Sequence, residues 1–135
     1  MEPLIRKATE DTPEIILDKD KNTFSISERS LPENAFDFYK PVYEWLEQYI
    51  TQPTEQTELH IKLDYFNTAS AKQLGKIFNL LETIKYSLKV IWHYYADDAD
   101  MLESGKRFAR LTGINFELVE EEPEEDSDDF KIIYD

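Results

Sequence analysis

At 135 residues, with 41% hydrophobic and 13% aromatic content, the chain fits one domain with a packed core and leaves little room for a second. Fifteen Lys and Arg against 29 Asp and Glu give a net charge of −14, which disfavours nucleic acid and anionic membrane faces as partners. The absence of cysteine excludes disulfides, thiolate nucleophiles and thiolate metal sites. No stretch approaches the roughly 18 apolar residues of a membrane span, and the first seven residues lack the apolar run of a secretory leader, so a cytoplasmic protein is expected.

In chain order, Leu4 to Lys7 is a short apolar start, and Ile15-Ile16-Leu17 and Phe24-Ser25-Ile26-Ser27 flank the polar cluster Asp18 to Asn22. This is a strand, turn, strand pattern, expected to form an antiparallel hairpin. From Ser30-Leu31-Pro32-Glu33-Asn34 a helix is expected, because Ala35, Phe38, Tyr39, Val42, Trp45, Leu46, Tyr49 and Ile50 share one helical stripe. Pro41 removes one bond of its ladder, which predicts a kink or two abutting helices. Leu59, Ile61, Leu63 and Tyr65 alternate with His60, Lys62 and Asp64, a strand with one buried face. Leu74, Ile77, Phe78, Leu81, Ile84 and Leu88 mark a second helix that starts near Asn67 to Ser70, where three side chains could act as N-cap. Val90 to Tyr95 is apolar on both faces, as a central strand is. A third helix from near Asp98 turns Met101, Leu102, Phe108 and Ala109 inward and stops before Gly113, and Phe116, Leu118 and Val119 form a last strand.

Strands followed by alternating helices and strands predict a single α/β domain over residues 1–119, with a mixed sheet and three main helices. Glu120 to Asp135 carries nine acids and one lysine, and is expected to be a disordered acidic tail in which Phe130 to Tyr134 regains apolar character.

Three groups of residues are candidates for chemistry. His60 and His93 have no companion at metal-ligand or triad spacing, and read as one surface and one packed imidazole. Asp64, Asp97, Asp98 and Asp100 fall near the C-terminal edge of the predicted sheet, where they could hold Mg²⁺ in a small hydrolase. The plainer reading is that acids in a helix's first turn complement its positive end. With three glycines in all, neither a P-loop nor a dinucleotide fingerprint is possible. The most informative segment is Tyr65-Phe66-Asn67-Thr68-Ala69-Ser70. A parallel strand running into a helix presents its turn at the sheet edge, where free backbone N–H groups converge. A phosphate on a hydroxyl there would be held by the helix end and by Lys72, one turn on from Thr68. The competing reading is that Thr68 or Ser70 is only an N-cap.

Ser30-Leu31-Pro32-Glu33-Asn34, Phe38-Tyr39-Lys40-Pro41-Val42 with Trp45-Leu46, the Tyr65 to Ser70 run, Trp92-His93-Tyr94 and Met101 to Gly105 together resemble the SiaC family of bacterial regulatory phosphoproteins. The resemblance spans roughly residues 4 to 119 and implies a STAS-like fold, similar to anti-sigma-factor antagonists. It implies a switch and not an enzyme, with no cofactor and no metal. In such proteins a dedicated kinase phosphorylates the threonine matched by Thr68, a metal-dependent phosphatase reverses this, and the unmodified form binds and activates a diguanylate cyclase. Tyr65, Phe66, Asn67, Thr68, Ala69, Ser70 and Lys72 are then the expected partner-binding surface. Ala69 stands where many relatives have serine, and the acidic tail is outside the resemblance. An assembly module that is never phosphorylated is the remaining alternative.

Overall fold

The computed structural model describes residues 1–122. Its elements are β1 (Leu4–Arg6), β2 (Glu14–Asp18), β3 (Thr23–Ser30), α1 (Ala35–Tyr49), β4 (Thr57–Phe66), α2 (Thr68–Leu81), β5 (Leu88–Tyr95), α3 (Ala99–Thr112) and β6 (Asn115–Glu121), with a 3-10 segment, Glu82–Ser87, between α2 and β5. They build one six-stranded sheet in the order β1-β2-β3-β4-β5-β6. β1, β2 and β3 pair antiparallel, whereas β3 to β6 pair parallel. Three parallel connections all step the same way across the sheet, so right-handed crossovers place α1, α2 and α3 on one face.

That face is the core. Leu59, Ile61 and Leu63 of β4 and Val90 and Trp92 of β5 meet Tyr39, Val42, Leu46 and Tyr49 of α1 and Leu74, Ile77 and Phe78 of α2, all buried. The alternate residues of β4, His60 and Lys62, fall on the opposite face, which no helix covers.

Four local differences from the sequence pattern each have a physical reason. Pro41 lies inside α1, which runs as one helix. The lost bond would have gone to the carbonyl of Asp37, an exposed residue whose oxygen water can reach, and the buried stripe holds the helix together. α2 ends at Leu81, so Ile84 belongs to the 3-10 segment and Leu88 opens β5. Tyr65 does not continue the buried alternation of β4: the pairing shifts from Glu28↔Leu63 to Arg29↔Tyr65, a bulge that reverses the facing of the strand's last residues. Tyr65 is therefore 51% exposed, and Phe66 turns inward to pack edge-on against Trp92. Glu28, opposite the bulge, adopts φ 82°, a left-handed conformation unusual for a residue with a side chain. Finally, β6 extends past Val119 to include Glu120 and Glu121, because the edge of β5 still offers backbone partners there and Ala96 N–H donates to the Glu121 carbonyl at 3.0 Å. The domain thus takes in the first two residues assigned to the acidic tail. From Pro123 onward that tail lies outside the described residues.

Candidate phosphorylation site at the start of α2

The β4-to-α2 turn resolves the competition among its three capping side chains. Asn67 is the N-cap: its Oδ1 accepts the Ser70 backbone N–H at 2.9 Å, and its carbonyl takes the first helical bond from Ala71 at 2.9 Å. Its own N–H donates to the Ser30 carbonyl at 3.1 Å, which ties the turn to the end of β3.

Ser70 serves the interior. It is 0% exposed, and its hydroxyl donates to the Ser30 carbonyl at 3.0 Å and accepts from Ser30 Oγ at 2.8 Å. Ser30 Oγ in turn lies 2.6 Å from the Tyr39 hydroxyl. Burial pushes the Tyr39 phenol up to about 12, against a smaller opposing effect of the Ser30 bond, so it stays protonated and donates. Each hydroxyl in this chain has a partner, and together they fasten α1, β3 and α2 beneath the turn. Ser70 is therefore not available to a partner surface or to a modifying enzyme, contrary to its place in the expected set.

Thr68 occupies the first helical position, is exposed, and its hydroxyl makes no hydrogen bond among the described residues. The N–H groups of Thr68 and Ala69 precede the first helical bond, no acid stands in the first turn, and Lys72 is exposed four residues on. A dianion here would meet free amide donors, the positive end of α2 and a lysine. Of the expected partner-binding residues, Tyr65, Thr68, Ala69 and Lys72 are exposed. Asn67 is half-buried in the cap, and Phe66 supports the turn from below.

The carboxylates considered for Mg²⁺ are not assembled. Asp98 is the N-cap of α3, its Oδ1 accepting the Met101 N–H at 3.0 Å. Asp64 and Asp98 border a crevice of only about 10 Å³, shared with Lys62, His93 and Glu121, which holds no more than a water. Asp97 and Asp100 are exposed and do not line it. Among the described residues no group of three or more His, Asp or Glu is placed to hold a metal ion.

One cluster has no sequence signal. His60 Nδ1 lies 3.0 Å from His93 Nε2, and His93 Nδ1 lies 2.7 Å from the Glu121 carboxylate. His93 is thus paired across the open face of the sheet and not packed among aromatics. Register brings these residues together: His60 stands opposite Ile91 and His93 opposite Val119, so only a known strand order could have joined them. Ser30 and Tyr39 were equally hidden, since their role depends on contact with a residue 40 positions from Ser30.

The sequence matches the profile described as SiaC family regulatory phosphoprotein over residues 6–121. An uncharacterised protein of Pseudomonas aeruginosa strain UCBPP-PA14 is 29% identical over 103 residues, which is 74% of this chain and 82% of that protein. The crystal structure of apo-SiaC from P. aeruginosa superposes with a TM-score of 0.79 at 28% identity, covering 88% of this chain and 99% of that one. A second similar structure, that of the diguanylate cyclase SiaD in complex with its activator SiaC from P. aeruginosa, gives a TM-score of 0.81 at 26% identity, covering 87% and 99% of the two chains. No helix among the described residues is long and apolar enough to cross a membrane. With the matched profile spanning nearly all of the described fold, the chain belongs to the SiaC family of regulatory phosphoproteins.

Proposed function

We propose that this chain is a cytoplasmic, non-catalytic switch set by reversible phosphorylation of Thr68, and that its unmodified form binds and activates a diguanylate cyclase. A protein kinase adds the phosphate and a metal-dependent phosphatase removes it. The observation that carries this reading is the division of labour between two neighbouring hydroxyls: Thr68 is exposed and unbonded, whereas Ser70 is buried and twice hydrogen-bonded. The SiaD complex with its activator SiaC supports the choice of a cyclase as output. The contact surface is centred on Tyr65, Thr68, Ala69 and Lys72, with Phe66, Asn67 and Ser70 holding its shape.

A partner docked over the turn must desolvate it. A dianionic phosphate without a cationic counterpart on that partner costs several kcal/mol, so phosphorylation releases the partner. Incubation with the kinase and ATP followed by peptide mass mapping should place phosphate on Thr68 and lose it in Thr68→Ala. In calorimetry the unmodified chain and Thr68→Ala should bind the cyclase, and the phosphoform at least about tenfold more weakly, a difference of about 1.4 kcal/mol. Equal affinities would reject release, and phosphate confined to another residue would reject the acceptor.

A further inference from the structure

The open face of the sheet carries a line of side chains that the Thr68 switch does not use. His60 of β4 and His93 of β5 face each other through one nitrogen apiece, His60 Nδ1 and His93 Nε2, 3.0 Å apart. The ring planes lie within 25° of each other. Each far nitrogen faces a carboxylate: His93 Nδ1 is 2.7 Å from Glu121 Oε1, and His60 Nε2 is 3.8 Å from Glu58 Oε1.

A carboxylate only accepts, so Glu121 keeps the proton of neutral His93 on Nδ1 and leaves its Nε2 as a bare lone pair. Without a ligand, His60 Nδ1 supplies the one proton that lets the facing nitrogens approach. Moving that proton to His60 Nε2, toward Glu58, frees a second lone pair beside the first and gives both rings the same arrangement. An imidazole with a carboxylate on its far N–H is how metal-binding histidines are oriented and made more basic.

The spacing suits a single ion. Two imidazole nitrogens about 2.0–2.1 Å from one ion stand about 2.9 Å apart at a right angle and about 3.3 Å apart at the tetrahedral angle. The 3.0 Å between His60 and His93 lies within that span. The ion sits to one side of the line between them, and His60, whose side chain is 43% exposed, has room to turn toward it. Glu117 adds negative charge near His60, partly offset by Lys89, which it holds at 3.3 Å.

We propose that His60 and His93 together bind one transition-metal ion of the Zn²⁺ or Cu²⁺ kind, with Glu121 and Glu58 as positioning residues. Nitrogen donors select such ions over Mg²⁺ and Ca²⁺, which require oxygen. The chain supplies two ligands and water completes the shell, so the ion is exchangeable. It clamps β4 to β5 on the face opposite the helices.

The test is calorimetry of the full chain with ZnCl₂ near neutral pH, paired with thermal melting and imidazole ¹⁵N spectra. One ion per chain should bind, and the midpoint should rise in a way that EDTA reverses and Mg²⁺ does not reproduce. Zn²⁺ should shift His60 Nδ1 and His93 Nε2 together and leave the proton of each ring on its far nitrogen. His60→Ala and His93→Ala should each weaken binding at least about tenfold, and Glu121→Gln about tenfold with both ¹⁵N shifts retained. Asp97→Asn, at an exposed carboxylate in the turn after β5, should change nothing. His60→Ala alters a side chain open to solvent and keeps the test decisive if His93→Ala unfolds the chain. Zn²⁺ held equally by His60→Ala assigns the ion to surface carboxylates and overturns the site. Shifts in one ring only, half an ion per chain, or no binding by the parent overturn it as well.

Discussion

The starts of α2 and α3 occupy equivalent places, each at the C-terminal end of a neighbouring parallel strand and each capped by an Asx side chain bonded three residues on. Their electrostatics are opposite. α3 begins with its own carboxylates, the Asp98 cap and Asp100 in the first turn, so the positive helix end is already compensated. α2 begins with a neutral cap, an exposed threonine, no acid in the first turn and a lysine at the fifth position. Two helix starts with the same kind of capping bond thus separate into one that is electrostatically complete and one that a phosphate would complete.

The two starts should differ most when the support of α3 and of α2 is damaged in turn. A Cβ on Gly105 of α3 would lie 2.5 Å from Trp92 Cδ1, and the indole cannot retreat because its Nε1 donates to Met101 O at 2.9 Å and Phe66, Phe108 and Phe116 surround it. Gly105→Ala should destabilise by about 3 kcal/mol in urea titrations, whereas Thr68→Ala should stay within about 0.5 kcal/mol of the parent. An equally large loss at Thr68 would mean that its hydroxyl is structural.

Cap removal comes next in size. Asn67→Ala and Asp98→Ala should each cost about 1 kcal/mol by thermal melting, but only Asn67→Ala should slow phosphorylation of Thr68 in a timed kinase assay. If both slow it alike, the effect is general loosening and the contrast between the two turns has no functional content.

Exchanging the charges sharpens the contrast. Thr68→Asp gives α2 the kind of acid that α3 already has and should stabilise by about 0.3–1 kcal/mol, while Asp100→Asn should lose a similar amount, both fading at high salt. One carboxylate supplies less charge than phosphate, so Thr68→Asp should reproduce only part of the release of the partner.

The smallest expected effect lies on the open face of the sheet. Burial and then His93 lower the pKa of His60 from 6.5, and Glu58 and Glu117 oppose this. Ser25 of β3 and Ile91 of β5 stand opposite it in the register, and its partner His93 is bonded to Glu121 of β6. A histidine with a depressed folded-state pKa favours the fold when neutral, so this contribution is complete above 6.5 and is lost as the pH falls through that value toward the folded pKa. His60→Gln should flatten the decline of the thermal midpoint between about pH 7 and about pH 5. An unchanged slope would assign that decline to other groups.

Legibility followed the range of the interaction. Element order and the buried faces of α1, α2 and β4 up to Leu63 were readable because helical and strand periods are local. The start of α2 was readable as a place but not as a division of roles. Asn67, Thr68 and Ser70 are all competent caps, and what separates them is the Ser30 carbonyl and hydroxyl, brought alongside by the β3–β4 register. The bulge that turns Tyr65 outward, the His60–His93 pair and the fit of Gly105 on Trp92 likewise exist only once strands or helices are neighbours.

The sheet's strand order, identical to the order of the chain, bears on how the protein is made. A nascent chain leaving the ribosome never has to reserve a gap for a strand not yet synthesised, since each new strand joins the edge completed just before it. Every parallel pairing closes over only the helix between its two strands, which keeps the loops to be closed short. The exception is the interval before β6 emerges, when β5 is an exposed edge rich in aromatic and branched residues and open to other chains. Glu117, Glu120 and Glu121 arrive on the strand that covers it, so among the described residues the sheet ends in an acidic border that discourages further growth.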